Sequence, residues 1–266
     1  MLRRALPAFI GLLLVAGCGA APARPVSPPP RLSASTTQMR IAEGSRLLRT
    51  GVVNRSHRPV VVGSATLVWP GFAQHVAHVG QRIGYGEIAA FDMAYGDPRC
   101  TSLPTGRPHL LVVVDGTRRL VPLRVDIPGL LPELWRQECA EQRLAKAATV
   151  SLVTGHPVPA GYLAVLQLRR RASGVPVTVT GFSGSVILDL LPRRPLPARL
   201  TGPVLHVPVL VRPGSRCDPH SLGQSQQTFL LSAVVRVGHH PAQRAILPLG
   251  RGLLAALQRT IDRLCR

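Results

Sequence analysis

Short apolar runs separated by turn residues dominate the chain from residue 46 onward. Arg46–Arg55 is the first run, closed by the polar turn Asn54-Arg55-Ser56-His57-Arg58-Pro59. Val60 to Trp69 is rich in β-branched residues and stops at the breaker pair Pro70-Gly71, a composition that favours a strand. Ile88 to Tyr95 alternates less cleanly and leads to Gly96 and Cys100. Leu110 to Val114 and Leu120 to Val125 flank Asp115-Gly116, the strongest hairpin signal in the chain. Such a pair supplies the positive φ angles that a tight two-residue turn needs. The period then changes. Leu131, Trp135 and Cys139 fall at i, i+4 and i+8, which is one face of a helix over 130–139. Pro132 and Glu133 suit its first turn.

The same order recurs further on. Leu163 to Leu168 is an apolar run, followed by the polar turn 169–174 and a β-branched run over 175–181. Val204 to Val211 alternates and leads through Pro213-Gly214 to Cys217. Strands are expected over 228–237 and 243–249, then a helix carrying Leu254, Leu257, Ile261, Leu264 and Cys265 on one stripe. The expected fold is therefore mainly β. It consists of two tandem β-sandwich modules of immunoglobulin-like kind, each closed by a short helix. Module 1 covers residues 39–146 and module 2 covers 147–266. Helices do not alternate with strands, so a parallel α/β fold is disfavoured.

The N-terminal segment reads differently. Arg3 and Arg4 precede an apolar stretch from Leu6 to Val15, the length of a signal-peptide core and too short to span a bilayer. Val15-Ala16-Gly17-Cys18 resembles a bacterial lipobox. That resemblance implies cleavage before Cys18, a diacylglycerol thioether on its sulfur, and residence on the extracytoplasmic face of the bacterial cell membrane. Two acyl chains suffice for stable anchoring. Residues 19–38 are rich in Pro, Ala, Ser and Thr without apolar periodicity, and read as an extended, disordered tether.

Composition sharpens this picture in two respects. The formal net charge is +20, and among the 32 basic residues Lys146 is the single lysine. An almost all-arginine basic set among abundant Ala, Val, Leu, Pro and Gly is what a GC-rich coding sequence produces, so a generally basic surface is the first reading and a surface for anionic lipids or wall polymers the sharper one. Nucleic acid is disfavoured, because aromatic residues make up 4% of the chain and stacking platforms are therefore scarce. The second respect is cysteine. With Cys18 assigned to lipid, Cys100, Cys139, Cys217 and Cys265 remain, which allow three pairings. The repeat selects Cys100–Cys139 and Cys217–Cys265. Export to an oxidising compartment lets such bridges persist.

Candidate chemistry is sparse. His75 and His78 have a spacing a metal could use, and His239 adjoins His240, but no third ligand stands near. Gly181-Phe182-Ser183-Gly184-Ser185 lacks the last glycine of a nucleophile elbow. Glu138 and Glu141 sit beside the expected helix surface and read as solvated. Asp218 before Pro219 and His220 reads as a turn cap. No catalytic residue, metal or cofactor is expected, and the ligand-binding residues are left unassigned.

The lipobox, the Pro-rich tether and Arg216-Cys217-Asp218-Pro219-His220 together resemble uncharacterised secreted lipoproteins of high-GC actinobacteria. Those chains carry an Asn-x-Ser-x-x-Pro-Val-x-Val turn, matched here by Asn54, Ser56, Pro59, Val60 and Val62, and a strand end with a glycine followed by Arg-Cys, matched by Gly214, Arg216 and Cys217; the first module departs from it in having no Asp-Pro-His after Cys100. The resemblance implies a fold and an address, not a reaction. A non-enzymatic structural or interaction protein of the envelope is the leading expectation. A solute-binding lipoprotein using the groove between the modules is the alternative.

Overall fold

Alternating side chains, closed by turns, build two β units joined through one helix. The structure, a computed structural model, describes residues 28–172 and 174–265. The signal segment 1–18 with Cys18, and tether residues 19–27, lie outside the described residues.

The first unit holds strands β1 (Leu32–Thr37), β2 (Leu47–Asn54), β3 (Val60–Val68), β4 (Val76–Ile83), β5 (Ile88–Ala94), β6 (His109–Val114) and β7 (Thr117–Val125). They form one sheet in the order β4-β3-β6-β7-β1-β2-β5. All pairs are antiparallel except β1 with β7. The two ends of that order, β4 and β5, are joined by the turn 84–87 and lie against each other, so the sheet curls into a near-barrel. Leu48, Val52, Val62, Leu67, Phe91, Leu110 and Val112 fill its interior. Asp115 and Gly116 both take positive φ at the β6–β7 hairpin, as its two-residue turn requires.

Helix α1 (Leu130–Ala147) follows and runs straight into β8 (Ala148–Val158). The second unit continues with β9 (Gly161–Arg170), β10 (Val177–Ser183), β11 (Leu188–Pro192), β12 (Ala198–Arg199), β13 (Val204–Pro213), α2 (Pro219–Gln224), β14 (Ser232–Val237), β15 (Gln243–Ile246) and α3 (Arg251–Leu264). Two four-stranded sheets, β12-β10-β14-β15 and β11-β13-β9-β8, sandwich one core. The pairing order echoes the first unit. There β2 lies between β1 and β5, and β6 between β3 and β7; here β9 lies between β8 and β13, and β14 between β10 and β15.

Both expected disulfides are formed. Cys100–Cys139 ties the segment after β5 to α1 across 39 residues, and Cys217–Cys265 ties the end after β13 to α3 across 48. Their Cα–Cα separations are 5.5 and 5.0 Å.

Three expectations are corrected. Residues 32–37, assigned to the tether, form β1, so the folded part begins before residue 39. The strand was hidden because Leu-Ser-Ala-Ser-Thr-Thr offers only Ala34 and Thr36 to the interior. The Thr36 hydroxyl lies 3.0 Å from that of Thr50, which satisfies both inside the sheet. Strand β4 has no counterpart in the sequence pattern, because most of its side chains are exposed and carry no apolar alternation. Finally, the helix expected over 130–139 continues for two further turns to Ala147. The added turns bury Leu144 and Ala147 in the core of the second unit, whereas Leu130, Leu131 and Leu134 belong to the first.

Replacing Cys100 and Cys139 together by alanine is expected to lower the unfolding free energy by about 4 kcal/mol, the chain-entropy value for a loop of this size. Urea unfolding measures it, and a loss below about 1 kcal/mol would show that the bridge does not constrain the unfolded chain.

Candidate functional site

The most elaborate polar cluster sits where α1 meets the first unit. Glu138 lies one residue before the bridged Cys139, on the same buried face as Leu131 and Leu134. Its Oε1 accepts a 2.6 Å hydrogen bond from the Tyr95 hydroxyl. Its Oε2 lies 3.1 Å from Arg46 Nε, an ion contact without hydrogen-bond alignment. Arg46 also donates to the Gly96 carbonyl at 2.7 Å and to Asp97 at 3.1 Å, and its guanidinium lies 5.8 Å from the Tyr95 ring centroid. Beneath, Phe72 packs between Trp69 and Tyr95. Gly96 has φ +78, and a Cβ there would lie 2.0 Å from the Ala73 carbonyl oxygen, so only glycine fits.

Electrostatics identify this cluster as a clamp. Burial, reinforced by the hydrogen bond to Glu138, raises the Tyr95 pKa far above its ordinary value. A phenol held protonated in this way is no acid or base near neutral pH. Burial also raises the Glu141 pKa; its bond to Gln137 opposes that shift and nearby Glu138 adds to it. Burial works against the Arg46 charge, yet Glu138 and Asp97 more than offset it, and its pKa rises.

A second contact joins the units. Arg244 of β15 lies 2.6 Å from Glu43 of the first unit, and its Nε donates to the buried Ser232 hydroxyl at 2.7 Å. Next to it, Gly44 has φ +82, and a Cβ there would come 2.7 Å from Ile246 Cδ1. Open grooves flank α1 at this junction. One of about 320 Å³ is lined by Leu144, Ala148, Val150 and Ile246, with Arg171 and Glu141 at its polar side. Another of about 420 Å³ has an apolar floor including Ala147, Val175 and Val237, rimmed by Arg143, Lys146, His239 and His240.

The other sequence candidates are dispersed. His75 precedes β4 and His78 lies on it, both exposed. Among the described residues no group of three or more His, Cys, Asp or Glu is placed to hold a metal. Ser185 accepts from the backbone of Ile187 and Leu188 in a tight turn. Asp218 caps α2: its carboxylate accepts from the Ser221 amide at 3.0 Å and the Ser221 hydroxyl at 2.7 Å. Those bonds hold its pKa below the ordinary carboxylate value. Glu138 was expected on a solvated face and is 8% exposed. The available signal was its place at i+7 from Leu131, on the stripe that carries the cysteine.

No family model and no curated protein matches the chain. Among solved structures, the exo-chitosanase CsxA of Amycolatopsis orientalis is similar at 11% identity and a TM-score of 0.23, covering 74% of this chain and 25% of that one. A protein of unknown function from Porphyromonas gingivalis W83 is similar at 12% identity and a TM-score of 0.21, covering 83% of this chain and 98% of that one. The chain thus spans a quarter of CsxA's length. At these scores neither likeness carries an argument about fold or function.

Tyr95→Phe leaves a buried carboxylate oxygen without its donor, and is expected to cost about 1–3 kcal/mol at neutral pH. Because the folded chain holds the tyrosine proton more tightly than the unfolded chain, this contribution is complete below about pH 10. It is lost as pH rises through the raised folded value. Urea unfolding at pH 7 and between about pH 9 and 11 checks both. Equal alkaline slopes in the two proteins would contradict the clamp.

Proposed function

We propose that this chain is a non-enzymatic, lipid-anchored interaction protein on the extracytoplasmic face of the bacterial cell membrane, built from two tandem immunoglobulin-like modules. The observation that carries the proposal is the pair of equivalent disulfides, each stapling a strand end to the helix that closes its unit. Bridges used in this structural way belong to oxidising compartments. The recurring pairing order of the strands supports the immunoglobulin-like assignment. The lipobox-like Val15-Ala16-Gly17-Cys18 supports the anchor. The conspicuous polar groups are consumed in clamps and caps, which supports a framework whose work is done on its surfaces. Solute binding is the second reading, favoured by the apolar-floored groove beside Arg143 and Lys146.

Cross-linking capture of the intact chain from its own envelope at low salt, against a Cys18→Ala version, tests the leading reading. The intact chain is expected to carry acyl mass on Cys18, to fractionate with membrane and to retain envelope components that the variant loses. A chain that captures no envelope component counts against it. A copurifying small solute in place of macromolecular partners favours the second reading.

A further inference from the structure

One end of the first unit gathers unpaired positive charge. Pairing of Leu32 with Asn54, Val53 with Ile88, Val60 with Ile83 and Val62 with Val114 brings four features to that end. They are the start of β1, the β2–β3 turn, the β4–β5 turn and the β6–β7 hairpin. Exposed arginines stand on all four: Arg31, Arg55, Arg58, Arg82 and Arg118. Of the twelve acidic residues in the chain only Glu87 and Asp115 lie here, and both are engaged. Glu87 accepts from the Gly84 amide, while Asp115 accepts from the Val61 amide and pairs with Arg58. Arg31, Arg82 and Arg118 make no ion pair among the described residues. The remaining acidic residues of this unit lie away from this end, many at the α1 end in pairs such as Arg46–Asp97, Arg124–Asp126 and Arg136–Glu133. At the tip Tyr85 is 63% exposed and stacks on His57 with ring centroids 5.0 Å apart. An exposed tyrosine among arginines suits a lipid headgroup layer, where its ring and hydroxyl are both accommodated.

The chain also enters the fold at this tip. Twelve residues separate Cys18 from Arg31, a reach of about 40 Å as polyproline II. We propose that this tip is a membrane-facing surface that binds anionic phospholipid headgroups, so that the protein stands on the bilayer with α1 and the second unit directed away. The inference rests on the lipid-anchored reading for its orientation, but the binding surface itself is independent of the anchor. Lipid charge, acting within a Debye length, strengthens such contact by about fivefold per arginine.

Residues 19–266, which retain every described residue and lack the lipid, test it by sedimentation with phosphatidylcholine vesicles with and without 30% phosphatidylglycerol. Binding is expected only to the anionic vesicles, weakening as salt rises. Arg31→Glu, Arg82→Glu and Arg118→Glu together should lower partitioning at least about tenfold. The control Arg199→Glu, Arg236→Glu and Arg259→Glu carries the same net charge on the second unit and should lower it less than about threefold. Circular dichroism confirms that both variants fold. The proposal is overturned by absent binding to anionic vesicles, by equal losses in the two variants, or by retention on isolated wall polymer without retention on vesicles. Any of these leaves acylation of Cys18 untouched, and an unacylated Cys18 would leave a positive vesicle result standing.

Discussion

Helix α1 is shared by two cores, and the rest of the molecule depends on it. Its first turns place Leu130, Leu131 and Leu134 in the first unit, and its last turn places Leu144 and Ala147 in the second. Between them, Cys139 is bonded to Cys100 and Glu138 to Tyr95. A helix is stiff over this length, so fixing its middle to one unit fixes the approach of the other. The chain passes from Ala147 to β8 at Ala148 with no intervening loop. Arg244 on Glu43 and the close approach of Gly44 to Ile246 form a second tie across the same junction. Two ties at separated points resist rotation that one would permit.

The two closing helices are stapled alike and used differently. α3 buries Leu253, Leu257 and Ile261 in the second core alone, and ends at Cys265. α1 does the same for the first unit and then continues. The extra turns carry Arg143 and Lys146, whose side chains rim the larger groove with His239 and His240. A repeated structural device has thus been extended into a junction, and two open grooves flank it. The basic tip lies at the far end of the first unit.

Much of this was legible in local pattern. Asp115-Gly116 named its own hairpin, the cysteine order named the bridges, and the alternation over 204–211 named β13. What escaped had weak local signal by physical necessity. β1 is stabilised by ladder hydrogen bonds and a Thr36–Thr50 contact, not by apolar bulk. β4 is an edge strand with exposed side chains, where periodicity has no core to report. Glu138 reads as solvated because a glutamate on a helix usually is; its burial depends on Tyr95 and Arg46, which flank β5 and β2 more than forty residues away in the chain. The tip is likewise a property of strand register, since its arginines are scattered between residues 31 and 118 and meet only once the sheet is paired.

The central claim is that each unit is closed by its own bridge in an oxidising compartment. A non-reducing peptide map of the protein isolated from its native envelope tests it most directly. Two linked peptide pairs, Cys100 with Cys139 and Cys217 with Cys265, are expected at full occupancy. Free thiols at Cys100 or Cys217, or a bridge crossing between the units, would contradict it.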